Sequence, residues 1–289
     1  MPEFAEVEFF RKRWAQAAAG QRIKSVQLHP AAKIFRGTNH AAIKRALTGA
    51  KYLSSEAQAK QMLFRFDAAS PRAEARGLSR AESRGWLGIH LGMSGDLAVQ
   101  PAGYTPAKHD HLVLTTAKNS LVFSDPRMFG RVQFHRGTAA PAWWTKIAPP
   151  ILSEKFTVEA VAAFLKRRAR APIKAVLLMQ ERFPGVGNWM ADEILWRAAI
   201  HPRRLAGSLK PAEVKTLWRE CGHVCRLALD TIAGRGNYLP PNLNAHIPKT
   251  WLFWHRWEAG GRDPRTRTPL ARAEIGGRTT CWSPARQRL

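Results

Sequence analysis

A chain of 289 residues exceeds the usual size of one domain, so two are expected, and 45% apolar with 23% charged residues excludes a disordered chain. Lys and Arg number 46 against 21 Asp and Glu, a formal charge of +25 that attracts polyanions, nucleic acid first, because each cation set on a phosphate releases a counterion. No apolar run approaches the roughly 18 residues needed to span a bilayer, and Glu3, Glu6 and Glu8 interrupt the start where a secretory signal would be apolar, so an intracellular protein is expected.

In chain order, Val7, Phe10, Trp14 and Ala17 or Ala18 recur at three- and four-residue spacing before Gly20, which predicts an amphipathic helix over 2–19. Short strand-like runs follow at 23–28, 61–66, 86–91, 96–100, 111–116, 121–125 and 130–135, with turns between them. The polar stretch 67–84 has no apolar stripe and reads as an exposed loop. PAWWTKIAPP (141–150) reads as a linker, and helical periodicity returns near 157–168, 172–183, 188–199 and 211–233. The tail from 261 is cationic and reads as a short hairpin. The fold class is thus α+β: an N-terminal helix with an antiparallel β-sandwich domain over 1–140, a linker over 141–150, a helical domain over 151–250 and a hairpin over 251–289. A cleft between the two domains is the natural place for a ligand.

Cys221, Cys225 and Cys281 make neither an even disulfide framework nor a four-ligand zinc set, and are read as reduced structural thiols. CxxxC in a helix puts Cys221 and Cys225 on one face, but two further ligands are missing, so no metal and no cofactor is expected.

Pro2-Glu3 has a plain reading as a helix start, since proline suits the first turn and a carboxylate suits the positive end of the dipole. It also has a chemical one. Once Met1 is removed, Pro2 carries a terminal secondary amine, and α-amines ionise near 8, so a useful fraction is nucleophilic at neutral pH. Glu3 is then close enough to manage protons at a sugar oxygen or a departing base.

At these residues the chain resembles the formamidopyrimidine-DNA glycosylase and endonuclease VIII family, whose start reads MPE-x-PEVE where this chain has MPEFAEVE, with Ala5 in place of proline. Further motifs follow in the same order. AKY (50–52) resembles the family motif that sets Lys51 beside the scissile phosphates. HLGMSG (90–95) and SDPRMFG (124–130) resemble the turns whose Met93, Arg127 and Phe129 fill the hole left by an extruded nucleotide. Without the resemblance, Met93 and Phe129 read as core residues and Arg127 as a turn cation. PIKAVLLMQERFPGVGNWMADEILWRAAIHP (172–202) resembles the helix-two-turn-helix element, in which Lys174, Gly187 and Asn188 meet backbone phosphate. Glu6 falls on a position near the flipped base. GGRTTCWSPARQ (276–287) keeps Arg278, the hairpin-tip phosphate contact, but has Ser283 and Arg286 at the places of the last zinc-ligand pair, which resembles the family's zinc-less finger.

The resemblance implies a monomeric, DNA-associated bifunctional glycosylase and AP lyase for oxidised bases, acting on double-stranded DNA with oxidised bases or abasic sites. Pro2, Glu3 and Lys51 would be catalytic, and ring-opened purines the substrates, with 8-oxoguanine in doubt because NYLPPNLNAHIPKT (237–250) has no recognisable match to the loop that covers a flipped purine. The alternatives are an endonuclease VIII-like enzyme for oxidised pyrimidines, a DNA-binding protein that lost the chemistry, and an RNA-binding protein favoured by charge alone.

Overall fold

The structure is a computed structural model that describes residues 2–67 and 84–289. Two compact units divide it: Pro2 with Glu6–Ile147, and Glu3–Ala5 with Ala148–Leu289. The loop expected over 67–84 lies, but for its two end residues, outside the described residues.

In the first unit, α1 (Phe4–Ala18) carries the expected stripe: Val7, Phe9, Phe10, Trp14 and Ala18 are buried, and Gly20 at φ +78° ends the helix. Trp14 holds α1 to two sheets at once, its ring 5.3 Å from Phe64 and its indole N–H donating to Ala98 O at 2.9 Å. One antiparallel sheet has the order β1 (Ser25–Leu28), β6 (Asp110–Thr115), β7 (Asn119–Ser124), β5 (Asp96–Pro101), and the other β2 (Lys51–Gln58), β3 (Gln61–Asp67), β4 (Arg84–His90), β8 (Arg131–Arg136). The apolar runs became strands at each expected place. Two elements carry too weak a pattern to be seen in the sequence. Strand β2, KYLSSEAQ, buries only Tyr52 fully and owes its form to pairing with β3; α2 (His40–Leu47) is short, its start capped by the Asn39 side chain accepting from Ala42 N–H at 3.1 Å.

The stretch read as a linker, 141–150, contains the boundary between the two units at Ile147–Ala148, and its first half is packed. It forms α3 (Ala142–Thr145), whose Trp144 is buried against Leu63 and Trp86, so apolar burial overrode the flanking prolines.

In the second unit, α4 (Val158–Arg167), α5 (Ile173–Leu177), α6 (Asn188–Ala198) and α7 (Pro211–Ala228) match the expected helices, with α5 ending early and α7 loosening into a π turn over Leu229–Ala233. A hairpin of β9 (Ala271–Ile275) and β10 (Arg278–Trp282) closes the chain. Trp251 stacks on Trp189, Phe253 meets the same ring edge-on at 5.2 Å, and Trp282 meets the His201 ring at 5.2 Å, so the aromatic run packs as expected. Among the described residues no helix is long and apolar enough to cross a membrane.

Candidate active site and nucleic-acid interface

The element following α5 decides where Glu3 sits. Gln180 folds the chain back, its Oε1 accepting from Gly185 N–H and its Nε2 donating to Val186 O, each at 2.9 Å, while Gly185 takes φ +88°. This turn ends α5 and leaves the first N–H groups of α6 without helical partners. The Glu3 carboxylate takes them: Gly187 N–H and Met190 N–H donate to Oε2 at 2.8 and 3.1 Å, and Trp189 N–H donates to Oε1 at 2.9 Å. Phe4 N–H donates to Gly185 O at 3.1 Å, fixing the backbone next to it. Glu3 is 2% exposed, and a helix N-terminus favours its negative charge.

Gly187, expected at backbone phosphate, stands against Glu3. Its N–H meets a carboxylate of its own chain, and a Cβ there would lie 2.4 Å from Glu3 Cδ, so the glycine makes room for Glu3. Pro2, one residue earlier, is half-buried.

Lys174 also stands differently from expectation. Its side chain is fully buried, with Nζ donating to Asn188 O at 2.7 Å and to Asp192 Oδ1 at 2.5 Å. Burial lowers its pKa, with Asp192 opposing. The charge is enclosed, so it braces the start of α6 in place of reaching outward. Asn188 lies on that start, its Nδ2 donating to Thr279 O at 2.9 Å. Arg278 is exposed beside Gly276 and Gly277, at φ +60° and +73°, and a Cβ on Gly276 would lie 2.7 Å from Ala175 Cβ, so the hairpin tip rests against α5.

In the first unit, Met93, Arg127 and Phe129 come together. Met93 and Phe129 are 38% and 50% exposed, which excludes the core reading, and the exposed Arg127 guanidinium lies 4.7 Å from the Phe129 ring centre. Asp125, fully buried, ties their two loops: Ser94 Oγ donates to Oδ1 at 2.6 Å and Gly130 N–H to Oδ2 at 2.7 Å. Gly92, at φ +62°, permits this approach, since a Cβ would lie 2.4 Å from Phe129 C. His90 Nδ1 accepts from Gly92 N–H at 3.1 Å, and burial, then Lys60, hold its pKa down. Lys51 is exposed at the start of β2, beside the bulge between Tyr52 and Ser54 that turns Leu53 outward. Glu6 is half-buried in the first turn of α1.

The residues missed in the sequence, Asp125, Gln180, Asp192 and His90, hold the candidate side chains or the loops that carry them in place; a polar residue inside an apolar helix, as Asp192 is, was the available signal.

The hairpin does not fit zinc. Ser283 is fully buried where a thiolate would be needed, and the Arg286 guanidinium, a cation, lies 4.8 Å from the Trp196 ring centre. Burial, then Asp192, pushes the Cys281 thiol up to about 12, so it stays protonated. Cys221 and Cys225 are buried with raised pKa values, and among the described residues no three His, Cys, Asp or Glu side chains converge as a metal set.

Comparison with known proteins agrees with this architecture. The family model described as the formamidopyrimidine-DNA glycosylase N-terminal domain matches residues 1–132, and that of the formamidopyrimidine-DNA glycosylase H2TH domain matches residues 147–237. A formamidopyrimidine-DNA glycosylase of Geobacter sulfurreducens is 33% identical over 302 aligned positions, covering all of both chains, and that of Arabidopsis thaliana is 26% identical over all of this chain and 71% of its own. The match to the Roseiflexus enzyme of the same name, 47% identical, spans 46% of this chain and about half of that one, 49%. The Lactococcus lactis enzyme, solved with DNA containing N7-benzyl-Fapy-dG, has the same fold, with a TM-score of 0.82 at 23% identity and full coverage of both chains. The chain belongs to the formamidopyrimidine-DNA glycosylase family.

Proposed function

We propose that this protein is a DNA glycosylase with AP lyase activity that excises oxidised bases, ring-opened formamidopyrimidine purines foremost, from double-stranded DNA. The observation that carries this is the Glu3 carboxylate, immobilised by three backbone N–H groups directly after Pro2 in the chain. Removal of Met1 frees the Pro2 amine. Its lone pair forms a bond to C1′ as the electrons of the glycosidic bond leave with the base, which takes up a proton. The amine then loses its own proton, and the C1′–O4′ bond opens with a proton delivered to O4′, giving an iminium. Glu3 manages these protons and stabilises the cation. Loss of a C2′ proton expels the 3′ phosphate, a second elimination expels the 5′ phosphate, and water releases Pro2.

In this reading Lys51, Asn188 and Arg278 hold phosphates, and Lys174 supports Asn188 from within. Met93, Arg127 and Phe129 occupy the gap left by the flipped nucleotide, offsetting an extrusion that costs a few kcal/mol. Glu6 lines the base pocket.

Borohydride added to the protein with abasic duplex DNA tests the assignment. A covalent adduct whose formation Pro2→Ala slows, and an uncleaved N-terminal extension abolishes, is expected. An adduct formed at the parental rate by the extended protein removes Pro2 from its role, and no adduct at all leaves a DNA-binding protein.

A further inference from the structure

Helix α6 does more than receive Glu3. Asn188, Asp192, Trp196 and Ile200 recur every four residues along and just beyond it, and each bonds the C-terminal segment: Asn188 Nδ2 to Thr279 O at 2.9 Å, Cys281 N–H to Asp192 Oδ2 at 3.1 Å, Trp196 Nε1 to Asp263 Oδ2 at 3.1 Å, and Gln287 Nε2 to Ile200 O at 2.9 Å. Four-residue spacing places such residues on one face of the helix.

Asp192 is the centre of this ridge. Fully buried, it also takes a fork from Arg256, Nε at 3.0 Å and Nη2 at 2.7 Å, and pairs with Lys174. One carboxylate therefore joins α5, α6, the aromatic segment and β10. An isolated two-stranded hairpin is at best marginally stable, and the hairpin's residues do not fit the metal that would otherwise staple it. Removing the carboxylate would leave two buried cations without their shared partner.

We propose that Asp192 is the positioning residue that fixes the β9–β10 hairpin, and with it Arg278, on the helix whose N-terminus holds Glu3. Asp192 meets no DNA itself. A rigid α-helix rises 1.5 Å per residue, so Asn188 and Asp192, which bond Thr279 and Cys281 of β10, stand about 6 Å apart along its axis and hold that strand at two points. The inference rests on the reading of Arg278 as a phosphate contact.

The test is a double-mutant cycle in affinity for a duplex bearing a reduced abasic site, with the parent, Asp192→Asn, Arg278→Ala and both together. Loss of one charge-assisted contact predicts that each single change weakens binding about tenfold or more, and that the double variant binds within about twofold of Arg278→Ala alone. Both single variants should also lower the slope of log affinity against log salt by about one, which a general loss of stability would not do. Additive losses in the double variant, or unchanged affinity and slope in Asp192→Asn, overturn the proposal. Should Asp192→Asn fail to accumulate folded, amide exchange in the parent decides: Cys281 N–H should be protected as well as the amides of α6, and exchange as fast as in a free terminus overturns it. Because binding carries this test, absence of a borohydride adduct with the parent chain would defeat the glycosylase reading and leave the cycle interpretable.

Discussion

Glu3 and Gly187 occupy a space that admits only one side chain. The carboxylate of Glu3 accepts the Gly187 N–H at 2.8 Å, and a methyl group on Gly187 would lie 2.4 Å from the carboxylate carbon. The backbone at Gly187 has φ −127°, open to any residue, so the glycine is required by this approach and not by the turn.

Gly187→Ala should therefore displace Glu3 while leaving most of the fold intact. A shift of about 1 Å in a reacting group can remove about a hundredfold in rate, so single-turnover excision should fall by that order. Excision kinetics beside thermal unfolding check it; a full parental rate in the alanine variant would mean that Glu3 is not the group whose position matters.

The exposed pair Arg127 and Phe129 predicts a separation of stability from activity. Phe129 is 50% exposed, so Phe129→Ala should change stability by no more than about 0.5 kcal/mol, as exposed substitutions do. Excision from paired duplex should drop, with a smaller effect on single-stranded DNA, where no partner base must be left behind. Asp125→Ala removes a buried acceptor from Ser94 Oγ and Gly130 N–H and should destabilise by about 1–3 kcal/mol while impairing the same step. Denaturant unfolding and strand-cleavage assays on the two substrates measure both.

Metal content gives an independent check on the hairpin. With Ser283 and Arg286 where thiolates would be needed, purified protein should contain far less than one zinc per chain, and prolonged chelation should leave DNA binding unchanged. Elemental analysis showing tight equimolar zinc would contradict the Asp192 and Asp263 anchorage.

Acid stability follows from two histidines. His90 and His201 both have pKa values lowered from 6.5 chiefly by burial. The folded state thus prefers them neutral, while the unfolded chain binds protons near 6.5, so their contribution is full above that pH and declines as pH falls below it. The melting temperature should fall from pH 7 toward pH 5.5, and His90→Asn should flatten part of that slope. Calorimetry across this range measures it.

Much of the fold was legible because its signals are local. The stripe of Val7, Phe10 and Trp14, the alternating runs of the strands and the glycine at 185, which takes φ +88°, encode elements through period and backbone freedom. Strand β2 escaped notice because its form comes from pairing with β3, and the packed Trp144 escaped because prolines on either side mask a burial that only the sheet provides.

The sequence by itself determined the chemical inventory: a proline and a carboxylate at positions 2 and 3, an excess of cations, and a hairpin tip carrying Arg278 without cysteine pairs. Tertiary structure alone decided which groups face inward. It turned Gly187 toward Glu3, enclosed Lys174 beside Asp192, and left Met93 and Phe129 exposed. The reason is physical: a buried charge or an unpaired N–H must be satisfied by whatever the fold brings within about 3 Å, and residues separated by up to 187 positions, as Glu3 and Met190 are, have no local pattern to announce that they will meet.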